Sequence, residues 1–238
     1  MKLLAFDTST ETLSIAVSTG AAVLEHTGPG GPQASAALIP AIEALLERSG
    51  LALPQLDAIA FGRGPGSFTG LRTAAAVAQG LGFGAGVPVL PIDTLLAVAD
   101  EACAQGGATR IVAMLDARMD EVYFAAYERQ DGQWITRQPP ALGRPEAALV
   151  PDGWTIAGNV LELHGTRLPA GAARIAALPT ARALLRLAPQ ALAAGTPHDP
   201  AHALPLYIRD KVAQTTEERA ADRARKDLLR NASAVEPR

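Results

Sequence analysis

Aromatic residues make up only 4% of the 238 residues. A core without large rings must close by bringing backbones near one another, and the abundance of alanine fits that demand. Cysteine occurs once, at Cys103, so no intramolecular disulfide can form; this fits a reducing compartment. Positive charge is not in excess, with a net charge of −3 and a pI near 5.8. No basic cluster stands in the part that reads as folded, which argues against a chain that grips RNA alone. Long apolar runs are missing too. Residues 73–90 come nearest to a membrane span, but Gln79, Pro88 and the glycines at 80, 82, 84 and 86 break the run. The apolar stretch Leu3 to Phe6 is too short for a signal peptide. A cytoplasmic protein with no membrane contact is expected. What remains, 48% hydrophobic and 19% charged, is the composition of a folded globule large enough to bury a core.

Short apolar strands are expected at Leu3 to Phe6, Leu13 to Val17 and Ala22 to Glu25, followed by a loop at Gly28 to Pro32. Leu38, Ala41, Ile42, Leu45 and Leu46 recur at helical spacing, with Pro40 either kinking that helix or marking its start and Gly50 ending it. Leu56 to Phe61 reads as a buried strand running into the glycine-rich turn Gly62 to Arg72 (GRGPGSFTGLR) and a second helix. A strand at Val89 to Ile92 and a helix at Thr94 to Cys103, with Thr94 as its N-cap, complete an alternation that implies a largely parallel sheet. The pattern then restarts with strands at Ile111 to Leu115 and Val122 to Tyr127. Asp7 and Asp116, like Glu11 and Asp120, are separated by 109 residues, close to half the chain, which suggests a repeated unit. The region after Gly132 is rich in proline and glycine. It yields only short strands at Thr155 to Ala157 and Arg174 to Leu178, a helix at Thr180 to Ala194 interrupted by Pro189, and a charged tail.

The glycine turn is the most ligand-shaped feature. Gly64 and Gly66 around Pro65, then Ser67 and a helix N-terminus, could present backbone amides to an anion. The turn lacks the GK[ST] of a phosphate-binding loop and has Thr69 where a dinucleotide fingerprint needs its third glycine. A tight turn serving helix packing explains it equally well. Asp7 with Thr8 and Ser9 could position a metal-bound phosphate, or simply cap local backbone groups; Asp116 has no hydroxyl neighbours and reads as a turn residue. His198 and His202 have helical ligand spacing, but Pro200 lies between them. His26 and His164 stand alone, and Cys103 reads as a packed thiol. The Asn231-Ala232-Ser233 sequon has no meaning in a cytoplasmic chain. No catalytic triad or dyad assembles.

Several of these segments resemble a known family. FDTST at 6–10, GRGPGSFTGLR at 62–72, the small-residue helix after it, VLPIDTLLAVA at 89–99 and PLYIRDKVA at 205–213 are similar, in order and spacing, to the TsaB (YeaZ) family. The resemblance runs through residues 1–213. It implies a duplicated ribonuclease-H-like (actin-like ATPase) α/β fold of two subdomains, here 1–106 and 107–213, with 214–238 as a tail. It implies a role in forming N6-threonylcarbamoyladenosine at position 37 of tRNAs that read ANN codons. In that system the paralogue TsaD carries the catalysis, TsaB is its dimerisation partner and the ATPase TsaE joins them, so tRNA is met only through the complex. A homodimer is expected when the partner is absent. The metal-binding HxxxH of the paralogue falls here on Thr94 and Val98, which cannot replace two imidazoles. The resemblance therefore implies no metal, no catalytic residue and no metallopeptidase activity, and no cofactor beyond a nucleotide at the interface of the complex. Ala34 stands where many members have histidine. Leu71, Ala74, Ala75, Ala78 and Gly82, with Leu38 and Ala41, are the expected partner surface, and Ala78→Glu is expected to weaken pairing without unfolding. The competing expectation is a stand-alone actin-like ATPase or sugar kinase using Asp7 and the glycine turn.

Overall fold

The computed structural model describes residues 1–195 and 199–209. The first half forms β1 (Leu3–Asp7), β2 (Thr12–Ser18), β3 (Val23–Pro29), helix α1 (Ala34–Ser49), β4 (Ala58–Gly64), α2 (Phe68–Ala85), β5 (Val89–Asp93) and α3 (Thr94–Gly106). The second forms β6 (Arg110–Asp116), β7 (Val122–Gln130), β8 (Gln133–Gly143), β9 (Thr155–Gly158), a single turn α4 (Leu161–His164), β10 (Ala173–Ala176) and α5 (Ala181–Ala193). Their strand orders are β3-β2-β1-β4-β5 and β8-β7-β6-β9-β10. In each sheet the hairpin strands pair antiparallel and the last three pair in parallel. The same topology thus occurs twice, as the acid-to-acid spacing suggested, in the expected duplicated two-subdomain α/β fold.

The two sheets share one core between them while each keeps a smaller one on its outer face, and Met1 to Ile208 forms one compact unit. Alternation along the strands sends Leu4, Phe6, Ile15, Val17, Ile59 and Phe61 to one face of the first sheet, under α1 and α2. The opposite face presents Ala5, Ala16, Ala58 and Ala60. The second sheet turns Ala113, Ala125 and Ala157 toward the same interior. Between these alanine-lined faces lie α3 and α5, whose Val98, Ala99, Ala102, Ala181, Leu184 and Ala188 are buried. Small side chains on both sheets let the two helices sit close, with Tyr123, Tyr127 and Trp134 as the large rings of this interior.

α5 crosses from the second half onto the first. Its first amide, Ala181 N–H, donates to Ser14 Oγ on β2 at 2.8 Å, and Arg182 reaches Glu25 on β3. α3 and α5 are tied by charge. Asp100, only 3% exposed, accepts from the Trp134 indole at 3.0 Å and from Arg186 Nε at 2.6 Å. Arg186 also holds Glu101 at 2.9 Å.

Several expectations need correction. α1 begins at Ala34, so of the two readings Pro40 does not mark its start but lies within the helix, on its exposed side. β3 extends through Pro29, taking in residues expected to be loop, and β8 was not anticipated because it contains Pro139 and Pro140. Both are edge strands, where a missing N–H costs no ladder bond on the open side. Thr94 is the first residue of α3, and Asp93 is the N-cap. His198 and the tail beyond Arg209, including the sequon and the family-like residues up to 213, lie outside the described residues. Among the described residues no helix is long and apolar enough to cross a membrane.

Removing Arg186 strands the Asp100 carboxylate in the interior. Arg186→Leu is expected to lower the unfolding free energy by about 3 kcal/mol, and adding Asp100→Asn should restore much of the loss. Urea unfolding of the two single variants and the double variant measures this; additive losses would show that the pair is not coupled.

Candidate functional site

The carboxyl ends of β1 and β4 meet the start of α3, and this junction is where the glycine turn folds. Asp7 closes β1 and is fully buried. Its Oδ1 accepts from Ser9 N–H at 2.8 Å and from Ser9 Oγ at 2.6 Å, a side chain that caps its own following turn. Its Oδ2 lies 3.5 Å from Thr94 Oγ1, and that hydroxyl accepts from Gly64 N–H at 3.1 Å. Ser67 N–H donates to Ser9 carbonyl at 2.8 Å, and Thr8 Oγ1 donates to Gly70 carbonyl at 2.7 Å. The loop of Asp7, Thr8 and Ser9 is therefore packed directly onto the glycine turn, and the Gly64 and Ser67 amides are already spent on the chain itself.

The glycines are required by this contact. A Cβ on Gly62 would overlap Asp7 Oδ2, one on Gly70 would overlap Thr8 carbonyl, and one on Gly66 would fall 2.6 Å from Ser9 carbonyl. Gly64 has φ +120 and would meet Leu206 carbonyl at 2.7 Å, since the segment Pro205 to Ile208 lies over the turn with Leu206 N–H bonded to Arg63 carbonyl at 2.7 Å. Of the anticipated residues, Asp7, Thr8, Ser9, Gly64 and Gly66 come together, while the Ser67 side chain is exposed. Gly62, Gly70 and Thr94 belong to the same knot and were not anticipated in it. Gly62 and Gly70 lie within the glycine-rich segment 62–72, which was the available signal for them.

The second half builds the matching corner differently. Asp116 Oδ1 accepts from Arg118 N–H at 3.1 Å and lies 3.5 Å from His164 Nε2. Arg118 also pairs with Glu11, joining the two β-hairpin loops, and Asp120 pairs with Arg167, which Glu146 shares. The repeated acids thus serve local turns and ion pairs, the reading favoured for Asp116.

Thr94 and Val98 are both fully buried, and Val98 packs in the core between the sheets. Among the described residues no group of three or more histidine, cysteine, aspartate or glutamate side chains could hold a metal ion.

The anticipated partner surface needs revision. Leu71, Ala74, Ala75, Ala78 and Leu38 face this chain's own first sheet or the packing beneath α1 and α2, and Gly82 is covered by Pro200. Ala41 is half-buried against the same cluster. Helical periodicity identified the right stripe but gave it the wrong neighbour. On α2 the open side instead carries Thr69, Arg72, Ala76, Gly80, Phe83 and Gly84. Phe83 is 59% exposed, and at its N-terminal end Phe68 stacks on Tyr207 with centroids 5.5 Å apart under the Arg72 guanidinium.

Burial pushes the Asp7 carboxyl up from 3.8 to about 6, against the bonds from Ser9 and Thr94 that favour its charged form. Between those values the folded chain keeps a proton that the unfolded chain has lost. The stabilisation is complete below pH 4 and disappears as pH rises through 6, a change of ~3 kcal/mol. Asp7→Asn lacks this titration. Its stability relative to the parent should rise by about that amount from pH 4 to pH 8, read by urea unfolding; a difference that does not change with pH would mean Asp7 titrates like an exposed carboxyl.

Comparison with known proteins agrees with this architecture. The family model described as "TsaD: tRNA N6-adenosine threonylcarbamoyltransferase" matches residues 26–162. The "tRNA threonylcarbamoyladenosine biosynthesis protein TsaB" of Escherichia coli is 35% identical over 226 residues, covering 90% of this chain and 96% of the relative. Its namesake from Haemophilus influenzae is 46% identical over 130 residues, 55% of each chain. The solved structure of YeaZ from Pseudomonas aeruginosa superposes with a TM-score of 0.82 at 40% identity, covering 87% of this chain and 99% of that one. A second structure from that organism, with the same figures, is described by its similarity to peptidase YeaZ. With the motifs, the duplicated topology and near full-length coverage in agreement, the chain belongs to the TsaB (YeaZ) family of tRNA threonylcarbamoyladenosine biosynthesis proteins.

Proposed function

We propose that this chain is a non-catalytic subunit that binds and supports a TsaD-type threonylcarbamoyltransferase, acting with a TsaE-type ATPase on adenosine 37 of tRNA in the cytoplasm. The observation that carries the reading is the burial of Thr94 and Val98. At the positions of the paralogue's ligands stand a hydroxyl bonded to Asp7 and Gly64 and an alkyl group in the core. A metal that templates the transfer would have nothing to bind there.

The exposed face of α2 is the contact surface in this reading. Ala76, Gly80 and Gly84 allow a second helix to approach closely, and Phe83 supplies an apolar anchor. A Cβ on Gly80 or Gly84 would meet nothing within 4 Å, so no packing inside the chain requires those glycines. The same face serves self-association when the paralogue is absent. The competing reading, an actin-like ATPase or sugar kinase, must place a phosphate where Ser9 and Thr94 already satisfy Asp7 and the turn.

Ala76→Glu should leave thermal unfolding unchanged and weaken association with the paralogue by about tenfold or more, because a carboxylate is then buried against the partner. Ala78→Glu should unfold the chain instead, correcting the expectation drawn from the sequence. Size-exclusion chromatography of mixed subunits and a tRNA modification assay with and without this chain provide the readout. ATP turnover by the purified chain that is lost in Asp7→Ala would overturn the proposal in favour of the kinase-like reading.

A further inference from the structure

A cavity of about 440 Å³ opens at the carboxyl ends of β9 and β10, away from the Asp7 knot. Carboxyl ends of parallel strands are where open α/β sheets generally receive ligands. Its lining combines apolar Leu161, Ala177 and Leu178 with Glu101 and Gln105 from α3, Asn159 just after β9, and Glu162. Among the described residues no lysine or arginine lines the cavity.

The polar groups are oriented. Gly158 has φ +147, and a Cβ there would overlap Met114 carbonyl, so the chain turns sharply at the end of β9. Asn159 follows, with Oδ1 fixed by Asp116 N–H at 2.9 Å. That bond sets the amide plane and leaves the Nδ2 hydrogens without a partner among the described residues, available to an acceptor. Glu101 is held by Thr180 Oγ1 at 2.7 Å, Arg186 at 2.9 Å and Gln105 at 3.3 Å. Burial opposes its charge, but those bonds prevail and keep its carboxyl below the usual range. Glu162 is exposed and has no ion pair among the described residues.

We infer that this cavity binds an uncharged aminoheterocycle, a nucleobase or nucleoside bearing an exocyclic amine. Such a molecule presents N–H donors to the carboxylates, a ring nitrogen acceptor to Asn159 Nδ2, and flat apolar faces to Leu161 and Leu178. Its size matches a cavity of this volume. Among the described residues phosphate groups have no free cation to meet in this cavity, since Arg186 is already shared between Asp100 and Glu101. The site therefore discriminates against nucleotides. This inference does not depend on the proposed subunit role.

The test is a titration of the full chain with adenosine, inosine and ATP, followed by backbone amide shifts and isothermal calorimetry. Adenosine should saturate shifts at Asn159, Leu161 and Leu178. Inosine, whose carbonyl replaces the amine and faces the carboxylates, should bind about tenfold more weakly. ATP should bind no more tightly than adenosine. Asn159→Asp keeps the acceptor for Asp116 N–H and removes the donor, and should weaken binding severalfold. Ala176→Trp, at an exposed position on the cavity rim, should abolish binding without lowering the melting temperature. Absence of saturable shifts at these residues with adenosine would overturn the inference, as would tighter binding of ATP or unchanged binding in Ala176→Trp.

Discussion

The close approach of two helices to two sheets governs this molecule. α3 and α5 fill the space between faces lined by Ala5, Ala16, Ala58 and Ala60 on one side and Ala113, Ala125 and Ala157 on the other. Alanine contributes little buried area per residue, so stability has to come from the number of near contacts and from the absence of voids. The geometry also makes the halves interdependent. α5 starts on Ser14 of the first sheet, and Asp100 of α3 is satisfied by groups from β8 and α5. The duplicated topology therefore describes the strands, while the interior is shared.

The Asp7 knot lies at the edge of that interior and fixes where α3 begins. Thr94 is both the first helical residue and the hydroxyl between Asp7 and Gly64. One turn further on, Val98 faces the shared core. In a relative with imidazoles at both positions, this turn of α3 would have to stay accessible to a metal and its substrate. Here the same turn is closed by packing, and the buried carboxylate finds its partners in Ser9 and Thr94 instead of a cation. Ser9 serves one oxygen and Thr94 lies 3.5 Å from the other, yet burial outweighs these bonds and holds the carboxyl up at about 6.

The strands of the first half and the helices after β4 were legible because their periodicity is clean: apolar runs such as Leu56 to Phe61 and helical spacing such as Leu71, Ala74, Ala75 and Ala78. β8 was not legible. Pro139 and Pro140 argue locally against a strand, and only the sheet order, which leaves β8 at an edge, removes the objection. The start of α1 was left between two readings, since Pro40 looks like a boundary but can also be accommodated within a helix on an exposed face, as it is here. At the site, Asp7 and the glycines were recognisable as belonging together by motif. Their chemistry was not, because whether a glycine turn holds an anion or another loop depends on what occupies the space before it. Ser9 carbonyl, a tertiary neighbour, occupies it here.

The same limit explains the inverted reading of α2. A helix of small residues has two faces, and composition does not say which one meets its own sheet. Ala74, Ala75 and Ala78 take the inner face because the strands beneath carry Phe6, Ile59 and Phe61, whose bulk needs small partners. The outer face is then left with Ala76, Gly80, Phe83 and Gly84. Glycine within an exposed helix costs ~1 kcal/mol relative to alanine, and neither Gly80 nor Gly84 recovers that cost through a close neighbour in the chain. Gly82, by contrast, is explained by Pro200, which a Cβ would meet at 2.7 Å. The contrast separates glycines that the fold requires from glycines that weaken the isolated chain, and the second kind lie beside the exposed Phe83 on the outer face of α2.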